Sequence, residues 1–105
     1  MTMNVPPNWQ NPITVLPGKL QSGVDPLYLL PSRTDLCQTR LDMQKALQDA
    51  GIERGTPIEV TPNGVIWDGH HAVRVAAEKG NLITVKVVAI SLNPTAASIM
   101  DLPVG

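Results

Sequence analysis

Between Gly64 and Gly80 the chain reads GVIWDGHHAVRVAAEKG. Within seven residues this stretch carries one carboxylate, two imidazoles and one guanidinium: Asp68, His70, His71 and Arg74. Those groups suit phosphoryl chemistry. An imidazole that titrates near neutrality takes a proton from water or gives one to a leaving oxygen. A guanidinium offers a permanent charge and a two-pronged fork to phosphate oxygens. Gly69 lets backbone come close to a phosphate, and the N–H groups opening a helix attract anions. Arg74 stands four residues after His70 and three after His71, a spacing that lets an imidazole share its helix face. Asp68 can orient a histidine or hold a divalent ion such as Mg²⁺ or Mn²⁺. Glu59, on a hairpin, is a further candidate base. Ser32, Arg33 and Arg40 are in reach of a phosphate from the first loop and helix.

Each of these residues also has a plain structural role open to it. Asp68 suits a helix N-cap, and either histidine can close the same turn. Arg74 and Glu78 are four apart, the spacing of a surface ion pair. Glu59 can face solvent, and Arg33 and Arg40 can be helix-end charges. The two histidines lack the i, i+4 spacing of a helical zinc site, and the single Cys37 argues against structural zinc.

These side chains need a strand, a turn and a helix to position them, and the flanking sequence supplies all three. Residues 57–60 and 65–67 read as a β-hairpin around a type I turn at Thr61-Pro62-Asn63-Gly64. The alanine-rich residues 71–79 read as a helix capped by Gly80. Residues 82–90, LITVKVVAI, read as the strongest strand, with Thr84 and Lys86 on one face and Val85 and Val87 on the other. Upstream, residues 27–30 form a short apolar run closed by Pro31 and read as a strand. A helix is predicted over 40–50, capped by Asp35 or Thr39 and ended by Gly51. Leu36, Met43, Leu47 and Ala50 would make its apolar face. The order is strand, helix, hairpin, helix, strand, a small mixed α+β domain over residues 26–90.

Five prolines before residue 27 forbid a long helix there. Residues 1–25 therefore read as a proline-rich arm, with a short edge strand at 13–16 and Trp9 exposed to a partner. Residues 91–105 read as a tail with one helical turn within 95–100.

Composition bounds the function. The 105 residues suit one domain. Aromatic residues make up only 3%, so the core must be aliphatic and no platform of stacked rings is expected. The net charge of −1 gives no global basic field for DNA or an anionic membrane, so any phosphate must be held locally. The lone Cys37 rules out an internal disulfide. No apolar run reaches the roughly 18 residues of a membrane span. The first 12 residues lack the basic and apolar regions of a signal peptide. A soluble chain with no membrane partner is expected, acting in the cytoplasm, and any export would use a route that reads no cleavable signal.

The ordered set of motifs resembles the ParB/sulfiredoxin-like superfamily. It comprises Leu29-Leu30-Pro31-Ser32, Arg40 before the first helix, Pro57-Ile58, the Gly64 turn, and Asp68-Gly69-His70-His71 with Arg74 on an alanine-rich helix. The resemblance covers residues 26 to 90. Partition-type members carry Gly-Glu-Arg-Arg at this corner and bind cytidine triphosphate, whereas this chain has Gly69-His70-His71-Ala72. Sulfiredoxins keep a catalytic cysteine where His70 stands. The chain is most similar to the small Asp-Gly-His-His members known as ParB-like nucleases, several of which resemble toxic domains of bacterial effectors. The resemblance implies a hydrolase acting on DNA, RNA or nucleotides, with a cognate immunity or regulatory protein as partner. The alternative it leaves open is a non-catalytic module that binds a nucleotide or a protein at the same corner.

Overall fold

The computed structural model describes residues 11–105, so Trp9 and the first two prolines of the expected arm lie outside the described residues. Within them the elements run β1 (Leu20–Val24), a 3-10 turn (Pro26–Tyr28), α1 (Gln38–Asp49), β2 (Ile58–Val60), β3 (Ile66–Asp68), α2 (His70–Lys79), β4 (Ile83–Val87) and a second 3-10 turn (Ile99–Asp101). The result is a small α+β domain with one mixed sheet.

The sheet order is β1-β4-β2-β3. β2 and β3 form the antiparallel hairpin, with Glu59 opposite Asp68. Its turn closes through a hydrogen bond from Gly64 N–H to Thr61 O at 2.9 Å, and Gly64 takes the positive φ of 81° that a glycine tolerates there. β4 lies parallel to β2, with Ile58, Glu59 and Val60 beside Val85, Lys86 and Val87. A parallel neighbour needs a crossover, and α2 supplies it. The alternation along β4 is as expected: Val85 and Val87 are fully buried, while Lys86 and Thr84 are not.

Three elements differ from the sequence reading. Leu20–Val24 pairs antiparallel with β4 as an edge strand, although Gln21, Ser22 and Gly23 gave it no strand character. Its register breaks between Gln21 and Val24, and only Val24 enters the core. Residues 13–16, expected as a strand, form none; Gln21 instead binds the backbone of Pro12, Thr14 and Val15 with its side-chain amide. Residues 27–30 begin in a 3-10 turn rather than a strand. Pro26 sits in its first turn and the Asp25 carboxylate accepts the Leu27 N–H, a combination that favours helical over extended backbone. Leu30 then makes a single parallel bridge to Val65.

α1 begins two residues earlier than predicted, at Gln38, and no side chain caps it. Its inner face is also different. Leu41 is buried and Gln44, Leu47 and Gln48 are half-buried, whereas Met43 is 59% exposed and Ala50 is exposed. α1 packs on α2, and α2 on β2. Seven of the ten residues of α2 are buried, and its small alanines permit that close packing. The core is aliphatic, built around Leu29, Val60, Ile66, Val73, Val85 and Ile99.

Residues 91–105 pack on the core. Ile99 is fully buried, which contributes about 1.5–3 kcal/mol, and Val104 bridges to Leu36. The sheet and core thus take in residues on both sides of 26–90.

Candidate functional site

The β3-to-α2 corner opens onto a cavity of about 440 Å³. Ser32, Arg33, Arg40, Arg54, Asp68 and Gly69 line it together with both histidines; Met43, Gln44 and Trp67 complete the wall. Three guanidiniums against one carboxylate leave two net positive charges in a chain whose overall charge is −1. The cavity wall is therefore locally basic.

Burial and backbone bonding fix the state of the histidines. His70 is 4% exposed and its Nε2 accepts the Ser32 N–H at 2.9 Å. The Ser32 hydroxyl also lies 3.3 Å from that nitrogen, but it donates its proton to Ile66 O at 2.6 Å. His71 Nε2 accepts the Cys37 N–H at 3.0 Å. An accepting Nε2 puts the proton of a neutral ring on Nδ1. Burial pushes the His70 pKa down to about 4, helped by the positive charge of Arg33 and by His71, against a smaller opposing pull from Asp68. Burial, Arg33 and Arg40 lower that of His71 as well, against Asp35. Burial thus favours the neutral form of both rings. They tie the 31–37 loop to α2, and the polar group each retains is an Nδ1–H donor. At both positions Nε2 is engaged by a backbone N–H and burial opposes protonation of the ring.

Asp68 does not cap α2. Gly69 is the N-cap, at φ 104°, and no side chain caps the helix. The first N–H groups of α2 consequently lack an acceptor within the helix, and they lie where the helix dipole is positive. The Asp68 carboxylate instead meets Arg54, Oδ2 to Nη2 at 3.1 Å. Arg54 escaped the sequence reading because it sits in a loop, 14 residues from its partner, with no periodic or motif context. Thr56 Oγ1 steadies the same Nη2 at 3.2 Å. Arg54 Nη1 is buried and makes no hydrogen bond among the described residues. It packs on Gly69 so closely that a Cβ there would collide with it, and Ile58 Cγ1 would stand 3.1 Å away. Close backbone approach was expected of Gly69; the group that approaches is a guanidinium.

The remaining expected site residues lie elsewhere. Arg74 does not line the cavity. Its Nη1 donates to Ile99 O and Leu102 O, both at 3.2 Å, and its Nε is 3.8 Å from Glu78. It fastens the C-terminal segment to α2, which leaves it unavailable to a phosphate in the cavity. Glu59 is half-buried on β2 between Asp68 and Lys86, outside the cavity wall.

Asp68 is ion-paired, its charged neighbours are cationic, and no group of three or more His, Cys, Asp or Glu side chains comes together among the described residues. No described helix is long and apolar enough to cross a membrane.

Compared with known proteins, the chain matches no family model, no curated protein and no solved structure.

Proposed function

We propose that this domain binds a phosphate-bearing ligand, a nucleotide or phosphodiester, in the Arg33–Arg40–Arg54 cavity. The observation that carries the reading is the buried Nη1 of Arg54, without a hydrogen-bond partner among the described residues, beside the uncapped start of α2. A buried charged donor without an acceptor is costly, and negative charge in the adjoining cavity would offset part of that cost. The two Nδ1–H donors and the guanidiniums of Arg33 and Arg40 add to the same potential. The likeness of the Asp68-Gly69-His70-His71 corner to the ParB/sulfiredoxin-like superfamily supports a phosphate ligand too.

Binding is favoured over hydrolysis. Neither imidazole has a free Nε2, Asp68 is ion-paired, and Glu59 is outside the cavity wall. The nuclease and effector-toxin reading accordingly rests on the resemblance alone.

Thermal unfolding with pyrophosphate and a nucleotide panel tests the proposal. A ligand at 100 times its Kd stabilises by about 2.7 kcal/mol, a rise of several degrees for a domain of this size. The rise should vanish in the Arg40→Gln, Arg54→Gln double variant. Unchanged melting of the wild type across the panel sinks the proposal. Cleavage of plasmid DNA or RNA by purified protein, lost in His71→Ala, would restore the hydrolase reading.

A further inference from the structure

Two parts of the cavity wall are not explained by phosphate. Trp67 is 48% exposed and Met43 is 59% exposed, and both line the cavity that holds the three arginines. Trp67 is one of only three aromatic residues in the chain. β3 puts Ile66 into the core and Trp67 on the open side. Met43 reaches the wall because α1 turns Leu41 inward instead. An indole face and a polarizable thioether form a surface suited to a flat ring. Gln44, half-buried in the same wall, has a side-chain amide with no hydrogen bond among the described residues, and it is free to meet the polar edge of such a ring.

We propose that the cavity takes a phosphomonoester bearing a heteroaromatic ring, with the phosphate on the arginines and the ring stacked on Trp67 beside Met43. The proposal rests on the phosphate-binding reading above and adds its second half. The cavity volume of about 440 Å³ lies within the range of sites that enclose a small molecule, roughly 300–1,000 Å³. Stacking reads a ring by its face and not by its hydrogen-bonding edge, so it tolerates different bases. Its strength grows with the ring area covered, and a purine should bind more tightly than a pyrimidine on the same sugar phosphate.

Titration calorimetry on the whole chain decides it, with ribose 5-phosphate, AMP and CMP as probes. Wild type should bind AMP at least about tenfold more tightly than ribose 5-phosphate, the ratio a single base stack supplies, with CMP between the two. Trp67→Leu should erase that ratio and leave the ribose 5-phosphate affinity within about twofold. Met43→Ala, also at an exposed position, should reduce the ratio without touching the core. Equal wild-type affinities for AMP and ribose 5-phosphate overturn the ring half and leave the phosphate half standing. The same holds if Trp67→Leu weakens both probes alike. Absence of binding by all three probes overturns both halves.

Discussion

Asp68 and Arg54 form an ion pair in which the carboxylate positions the guanidinium. Asp68 is 53% exposed and Arg54 is 23% exposed, so the arginine is the group the fold holds inward. Nη2 takes the carboxylate and Thr56, and Nη1 is turned onto Gly69 and makes no hydrogen bond among the described residues. Asp68, expected to orient a histidine or hold a divalent ion, instead holds the guanidinium of Arg54.

Removing that hold should weaken ligand binding without unfolding the protein. An exposed pair contributes about 0–1 kcal/mol to stability, so Asp68→Asn should shift Tm by only a few degrees. Phosphate-ligand affinity should fall several-fold in calorimetry. In an Arg54→Ala background the Asp68→Asn change should have no further effect, a double-mutant cycle that separates aiming from direct contact. Additive losses would sink the account.

Gly69→Ala should destabilise the domain. A side chain at φ 104° is strained, by about 1–3 kcal/mol, and the new Cβ would strike Arg54 Nη1 and crowd Ile58. Urea unfolding should show that loss. Gly23→Ala is the control: it also sits at positive φ, but its added Cβ meets nothing within 4 Å, so it should carry strain alone.

Stability should depend on His70 in acid. The ring is held neutral in the fold, with its pKa lowered from 6.5 to about 4. Between those values the unfolded chain binds a proton that the folded chain refuses, so stability rises with pH across the window. The contribution is complete above about pH 6.5 and is lost as pH falls toward 4. Urea midpoints taken between pH 7.5 and 5, above most carboxylate titration, should drop for wild type and drop less for His70→Gln. Equal slopes would exclude the ring as the cause.

Arg74→Ala should cost about 1.5–3 kcal/mol, the range for hydrogen bonds to a charged donor, because Ile99 O and Leu102 O lose their partner. Ligand affinity at temperatures where the variant is folded should match wild type. A selective loss of binding would return Arg74 to the site.

The parts of this architecture legible in the sequence are those with local physical signals. The hairpin, α2 and β4 announce themselves by turn residues, glycine caps and alternation. Asp68, Gly69, His70 and His71 were recognisable as a corner because chemistry-bearing residues are adjacent there. Their roles were not, since a histidine that accepts a backbone N–H from residue 32 or 37 looks the same in sequence as a free one. Arg54 and β1 were missed for a related reason. Leu20–Val24 becomes a strand only because β4 offers it an edge, and Arg54 becomes a site residue only because Asp68 and Gly69 fold onto it. Leu27, Leu29 and Leu30 suggested a strand because burial, which all apolar runs signal, is indifferent to backbone shape. The helix-capping pair Asp25 and Pro26 carried the better information.

The C-terminal segment holds the cavity loop from outside. Thr95 N–H and Oγ1 bond to Pro31 O, the Thr95 hydroxyl also reaches Arg33 O, and Leu36 exchanges backbone bonds with Pro103 and Gly105. Pro31 and Arg33, on either side of Ser32, are therefore fastened by a residue more than 60 positions later in the chain. The ribosome makes the arginine-bearing loop before residues 95–105, so a nascent chain stalled before Thr95 carries the cavity residues without the contacts that hold their loop.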